Sequence, residues 1–373
     1  MAKRIGNALW NRAMRRTLTA LTRTAVRTGT KVVKQALRAQ TGVPKPKPKT
    51  RTKPKSRTAP AKRSPASAAH WSTGLAAGPA GARRYHLYKP PGVQRTERLP
   101  LLVMLHGCDQ DALALAAISQ MNRIALRHRF LVLYPEQDRL ANIHGCWNWY
   151  DTRSGRAQGE AGAIQAAIDQ VCLTQPVDPD RVALVGLSAG AGMAALLATR
   201  HPERFRAVAM HSGIAPGVAQ STATALRAMR GRRMTGLPLA PLVADMHLPA
   251  LLVIQGSVDH VVAPGNGAEA VRLWAAREGA QPGAPRRVQR GARYPVTISD
   301  YKTRGRLVAT LCSVIGLGHA WSGGAPSWSY SDPKGPDASR MIWAFVSKQL
   351  AGARASPGLA TKYTQKHPLA PVI

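Results

Sequence analysis

The chain lacks any apolar run approaching the length that crosses a membrane. Its N-terminus is basic, yet the uninterrupted apolar core of a secretory signal does not follow; "TLTALT" (17–22) is short and half threonine. Membrane insertion and export by the usual routes are therefore unsupported, and the location to expect is cytoplasmic, with secretion left open. Cysteine is scarce. Four residues, at 108, 146, 172 and 312, are too few for a disulfide scaffold and are not spaced as metal ligands, so the ordinary reading is buried, reduced thiols. No His, Cys and Asp cluster has ligand spacing, and no glycine pattern fits a phosphate loop at a helix start. No metal or cofactor is expected. Acidic residues are missing from the first 96 positions, which carry 23 of the 53 Lys and Arg; Glu97 is the first acid. The net charge of +35 is thus concentrated in an N-terminal appendage, and the remainder, with 30 basic and 18 acidic residues, is only moderately basic.

Four regions follow from these contrasts. Residues 1–40 predict a basic amphipathic helix: Trp10, Met14, Leu18, Leu21 and Ala25 recur at three- and four-residue steps, while Arg12, Arg15, Arg16, Arg23, Arg27, Lys31 and Lys34 fill the remaining surface. Such a helix suits an anionic or amphiphilic surface, with packing on the body as the alternative. Residues 41–81 predict a Lys/Pro-rich disordered linker, because repeated prolines lack the N–H a helix needs and like charges repel. Residues 1–65 could also contact a polyanion such as nucleic acid or polyphosphate, through salt-sensitive and sequence-indifferent attraction. Residues 82–352 alternate strand and helix patterns, and 353–373 form a C-terminal tail. In the body, "LPLLVMLHG" (99–107), "RFLVLYPEQ" (129–137), "RVALVGLSAG" (181–190), "FRAVAMHSG" (205–213), "ALLVIQGSVD" (250–259) and "RLVATLCSVIGLGH" (306–319) read as strands or strands entering loops. Helices are expected at 111–129, 160–175, 191–201 and 268–279. Strands this apolar on both faces need helices on each side, which predicts a doubly wound, mostly parallel α/β sheet. Ligands bind such sheets outside the carboxyl ends of the strands. Ser188, Asp259 and His319 all sit just past those ends.

A serine hydroxyl attacks only when a base takes its proton, and the base must be a histidine oriented by an acid. Ser188 lies in "GLSAG", a strand–turn–helix whose sharp turn would lift the hydroxyl out of the sheet. G-x-S-x-G alone leaves a mere turn residue equally open. The order Ser188, Asp259 in "QGSVDH", then His319 in "GLGHAW" is the chain order of the α/β-hydrolase fold. Two oxyanion donors are then needed. The backbone N–H of Ala189, following the nucleophile, is one; the N–H of Cys108, in the "LHGCDQ" loop, is the other. His260 reads as an exposed neighbour of the acid and His106 as support for the oxyanion loop. His211 and His144 have no assigned role. In "CWNWYD" (146–151), Trp147 and Trp149 are either core aromatics or walls of an acyl pocket, and Trp321 is a third candidate for the pocket. Segment 214–248 is expected to overhang the site.

With these segments in place, residues 99–345 resemble the PHB depolymerase family of esterases, of the short-chain polyhydroxyalkanoate depolymerase catalytic-domain type. "LLVMLHGCDQ", "CWNWYD", "VDPDRVALVGLSAGAGMA", "IQGSVDHVVAPGN" and "GLGHAWSGG" carry the resemblance. It implies a catalytic Ser188, Asp259 and His319, an oxyanion loop at Cys108, and a Cys108–Cys146 disulfide, since some members bond that loop's cysteine. The chain looks most like the intracellular members, which implies hydrolysis of poly(3-hydroxybutyrate) or its oligomers, at a polyester granule or in solution. The family also includes feruloyl and acetylxylan esterases, which is the alternative ester class. A different kind of function is also open: a granule- or polyanion-binding protein whose basic tail dominates its role.

Overall fold

The computed structural model describes residues 70–78, 81–232 and 247–352. The N-terminal helix, residues 41–69 of the linker and the tail from 353 onward lie outside the described residues. In chain order the elements are β1 (His70–Gly78), β2 (Gly81–Lys89), β3 (Leu99–Leu105), α1 (Ala112–Ser119), α2 (Met121–His128), β4 (Leu131–Pro135) and α3 (Arg156–Thr174). Then come β5 (Val177–Leu187), α4 (Ala189–Arg200), β6 (Ala207–His211), α5 (Thr222–Met229), β7 (Ala250–Gly256) and α6 (Gly265–Arg277). The last are β8 (Gln281–Pro282), β9 (Arg286–Val288), β10 (Val296–Thr303), β11 (Arg306–Val314), β12 (Trp321–Ser322), β13 (Ser331–Asp332) and α7 (Ala338–Gly352).

One mixed sheet runs β1-β2-β4-β3-β5-β6-β7-β11-β10-β8, with β9 also on β10. The strands from β4 to β11 along that path are parallel to their neighbours, and antiparallel strands close both edges. The parallel centre follows from composition: β3, β5, β6 and β7 are apolar on both faces and buried on both. On one face α1, α2 and α7 bring Leu115, Ile118, Met121, Ile342 and Val346 onto Met104, Val132, Val185, Leu252 and Ile254. The other face is covered by α3, α4 and α6; α3 contributes an alanine- and isoleucine-rich buried stripe.

Two expectations change, and one stretch without an expectation acquires structure. The linker does not extend to residue 81, because 70–78 form β1, paired antiparallel with β2 from His70↔Lys89 to Gly78↔Gly81. The Gly- and Ala-rich "HWSTGLAAG" carries little hydrophobic signal of its own; pairing supplies its order, and Trp71 packs on Tyr134. The helix expected at 111–129 is two helices, broken at Gln120, whose φ of 51° is left-handed. The carbonyls freed there are used: Ile118 accepts the Ala325 N–H at 2.9 Å, and Ser119 accepts the Ser339 hydroxyl. Finally, the polar stretch 281–303 supplies edge strands, where one face meets water and the apolar signal is weak.

Candidate active site

Parallel strands place all their carboxyl ends on one edge, so β3, β4, β5, β6, β7 and β11 deliver their following loops to the same rim. At the end of β5, Ser188 takes φ 56° and ψ −118°, outside the regions an L-residue favours. Its neighbours make that turn possible. A Cβ at Gly186 would overlap the Gly190 carbonyl, and one at Gly190 would overlap the carbonyls of Leu105 and His106. The backbone is pinned as well: the Ser188 N–H donates to the His211 carbonyl at 2.8 Å, and the Ser188 carbonyl accepts from Ala191 and Gly192.

The structure brings the three separated residues into one line. Ser188 Oγ lies 3.0 Å from His319 Nε2, and His319 Nδ1 lies 2.8 Å from Asp259 Oδ2. The other carboxylate oxygen, Oδ1, accepts the N–H groups of Val261 (2.9 Å) and Val262 (2.8 Å), while Gln255 Nε2 donates to Oδ2 at 3.2 Å. Burial works to raise the Asp259 pKa. The hydrogen bond and charge of His319 and the two backbone N–H groups outweigh it, leaving the carboxyl below its ordinary 3.8. Asp259 is thus an ionised acceptor, and an Nδ1–H on His319 leaves the Nε2 lone pair for the serine. Tyr330 meets His319 edge-on, with ring centroids 6.4 Å apart.

The loop after β3 passes the serine: a methyl on Gly107 would stand 3.4 Å from Ser188 Cβ. It is held from several directions. Gln110 Oε1 accepts the Gly107 N–H at 2.9 Å. Buried His106 bonds the Gly107 carbonyl through Nδ1, and its Nε2 accepts the Gln137 N–H at 3.1 Å. Burial depresses the His106 pKa, as a ring accepting at Nε2 requires. Cys108 is bonded to Cys146, the pairing implied by the family resemblance. The adjacent Asp109 N–H donates to the His144 carbonyl at 2.7 Å, and its carboxylate pairs with His144 Nδ1 at 2.9 Å. Ala189 opens α4, so its N–H has no acceptor one turn back. Ala189 follows Ser188 directly in the chain, and Cys108 follows Gly107, which stands beside the serine.

The tryptophans proposed as pocket walls are core residues. Trp147 is fully buried between the His106 ring (5.4 Å) and the Arg83 guanidinium (5.3 Å). Trp149 is 6% exposed and packs against Gly192 of α4. Trp321 is fully buried, stacked on His211 at 5.2 Å, with its indole N–H on Ser339 Oγ. An indole that large is placed more favourably inside the body, behind the loops, than at a wet rim. Segment 214–248 includes α5, and Gln220 accepts from Arg153; residues 233–246 lie outside the described set. His260 is exposed, as expected.

Sequence reasoning missed the layer beneath. Gln137 accepts from Arg83, and its side-chain amide donates to the Cys146 carbonyl, while buried Glu160 accepts from the Asn148 backbone and side chain. Burial holds the Glu160 pKa above its usual value. Gln255 and His211 carried a readable signal: each is a polar residue at the carboxyl end of an otherwise apolar strand. The two free thiols, Cys172 and Cys312, are raised by burial to about 11 and about 12, which leaves them protonated and unreactive near neutrality.

A mixed sheet with helices on both faces, a strand–turn–helix serine and a Ser–His–Asp line at the carboxyl edge define the α/β-hydrolase fold. Residues 83–279, more than half the chain, match the family model described as Esterase PHB depolymerase, and the chain belongs to that family. A poly(3-hydroxyalkanoate) depolymerase C of Paucimonas lemoignei is 34% identical over 180 residues, which are 46% of this chain and 43% of that protein's length. A probable acetylxylan esterase A of Aspergillus clavatus is 26% identical over 236 residues, 59% of this chain and 74% of that one. Among solved structures, an acetyl xylan esterase from Aspergillus awamori superposes with a TM-score of 0.59 at 18% identity, over 75% of this chain and 99% of that one. That likeness speaks to the fold.

Proposed function

We propose that the protein is a serine carboxylic ester hydrolase that cleaves poly(3-hydroxybutyrate) or its oligomers through an acyl-enzyme. The observation that carries this is the hydrogen-bonded line from Ser188 through His319 to Asp259, at 3.0 and 2.8 Å. Ser188 Oγ attacks the ester carbonyl as its proton passes to His319 Nε2, and Asp259 stabilises the imidazolium. The N–H groups of Cys108 and Ala189 hold the tetrahedral oxyanion, each supplying about 3–4 kcal/mol to the barrier reduction. His319 then returns its proton to the departing alkoxide oxygen as the C–O bond breaks, releasing the alcohol. Water attacks the acyl-enzyme by the same route, giving the free acid and restoring Ser188.

The 34% identity to a poly(3-hydroxyalkanoate) depolymerase supports the polyester substrate. Similarity to acetylxylan and feruloyl esterases supports a second reading, an acetylated or feruloylated polysaccharide. Kinetics on 3-hydroxybutyrate oligomers, amorphous poly(3-hydroxybutyrate), methyl ferulate and acetylated xylan, with Ser188→Ala alongside, decide the matter. Preferred turnover of the first two, abolished in Ser188→Ala, is the expected result. A wild-type rate in Ser188→Ala overturns the serine mechanism, and preference for xylan or ferulate overturns the substrate. Residues 1–65 would serve as an electrostatic contact with a granule or polyanion; deleting them should weaken granule attack and spare soluble esters.

The Cys108–Cys146 bond favours an oxidising compartment. The redox state of this pair therefore separates the cytoplasmic, granule-associated location expected from the sequence from an exported one. Alkylating thiols in intact cells before lysis decides it: two unlabelled cysteines support export, and labelling of both supports the cytoplasmic location.

A further inference from the structure

His211 is a buried titratable group that the reaction scheme leaves without a task. It is the last residue of β6 and is fully buried. Its carbonyl accepts the Ser188 N–H at 2.8 Å, so it holds the backbone of the serine. Its ring Nε2 accepts the Ser322 N–H at 3.1 Å, three residues beyond His319. The same ring stacks on Trp321 at 5.2 Å with a 21° interplanar angle. One residue therefore touches both segments whose relative placement sets the distance from His319 Nε2 to Ser188 Oγ.

We propose that His211 is a positioning residue, which locks the segment carrying His319 onto the strand edge carrying Ser188. This rests on Ser188 and His319 being nucleophile and base, as proposed above. The chemistry at the ring is specific. An N–H aimed at Nε2 requires a lone pair there, so the ring proton sits on Nδ1, which faces Ser212 Oγ at 3.1 Å. The ring must be neutral to accept, and a neutral ring adds no repulsion when His319 becomes an imidazolium. The segment beyond His319 is fastened further by Trp321 N–H to the Tyr330 carbonyl (2.8 Å) and Ser322 Oγ to the Pro336 carbonyl (2.6 Å). Among these ties, His211 reaches back to the serine.

His211→Phe keeps an aromatic face for Trp321 and removes the acceptor. His211→Gln places an amide oxygen close to the position of Nε2, and His211→Asn places one near Nδ1 instead. With p-nitrophenyl butyrate, His211→Phe should lower kcat about 10- to 100-fold, as small misplacements of reacting groups do, with little change in KM. The rate at which a fluorophosphonate labels Ser188 should fall in parallel. His211→Gln should recover to within about threefold of wild type, and His211→Asn should not. If the phenylalanine variant fails to fold, the Gln and Asn variants carry the test by themselves. Equal activity in Gln and Asn, or a kcat in folded His211→Phe within about twofold of wild type, overturns the assignment. Ser188→Ala separates the two levels: turnover there strikes the serine mechanism, whereas inactive Ser188→Ala beside fully active His211 variants strikes only the role of His211.

Discussion

Replacing Asp259 with asparagine tests the geometry most directly. The carboxylate has two jobs: Oδ1 accepts two backbone N–H groups, at 2.9 and 2.8 Å, and Oδ2 faces His319 Nδ1 at 2.8 Å and Gln255 Nε2 at 3.2 Å. An amide has one oxygen for these tasks. Two N–H donors fix that oxygen toward Val261 and Val262, which turns the amide NH2 toward His319. Nδ1 must then accept, the ring proton moves to Nε2, and Nε2–H points at Ser188 Oγ. A base in that tautomer cannot take the serine proton. Where the same tautomer error was made in a Ser–His–Asp protease, the worked case for such triads, kcat fell about 10⁴-fold. A similar loss here corresponds to about 5 kcal/mol of barrier at about 1.4 kcal/mol per decade. The assay is steady-state hydrolysis of p-nitrophenyl butyrate across pH, with thermal unfolding as the control for folding. We expect kcat to fall by about 10³–10⁴ with KM nearly constant and the fold intact. The stability effect has a definite sign. Because the Asp259 pKa is held below its ordinary 3.8, its contribution is present above that value and is lost as pH falls through the depressed one. The acid limb of stability should therefore flatten in Asp259→Asn. A folded variant with kcat within about tenfold of wild type would refute the tautomer argument.

Three further outcomes follow from the same region. Gly190→Ala places a methyl on the carbonyls of Leu105 and His106, backbone that cannot move aside, so the variant should lose several degrees of Tm and most of its activity; wild-type Tm by scanning calorimetry would count against the close approach. Removing the Cys108–Cys146 bond, by Cys108→Ser with Cys146→Ser or by dithiothreitol, opens a link between positions 38 residues apart; it should cost about 3–4 kcal/mol in denaturant unfolding and lower kcat by loosening the loop beside Ser188. His211 is driven to about 3, first by burial and then by the neighbouring His319, with Asp259 opposing. An unfolded histidine binds its proton near 6.5 and the folded one does not, so stability should fall as pH drops from 6.5 toward 3, with a slope approaching about 1.4 kcal/mol per unit. His211→Gln should flatten that window in urea titrations, and an unchanged slope would place the burden on other groups.

Much of this was legible in residue order. The apolar runs of β3, β5, β6 and β7 announce parallel strands because burial on both faces leaves no room for alternation. Gly186 and Gly190 around Ser188 mark a turn that a side chain would block, and the later placement of Asp259 and His319 follows the chain order of the fold. The Cys108–Cys146 pair came through family resemblance and could not be read from spacing. The tryptophans were ambiguous in sequence, since an indole serves a core and a pocket wall equally well until its neighbours are known. The edge strands and β1 were hidden because pairing, rather than hydrophobicity, orders them.

The sequence by itself therefore determined the chemical cast and the fold class, because periodicity, glycine sterics and the order of serine, acid and histidine are local properties of the chain. Only the tertiary structure decided which polar residues at strand ends belong to the site. His211 accepts from Ser322, 111 residues away, and Gln137 from Arg83, 54 residues away, and such partners across the fold are encoded in no local pattern.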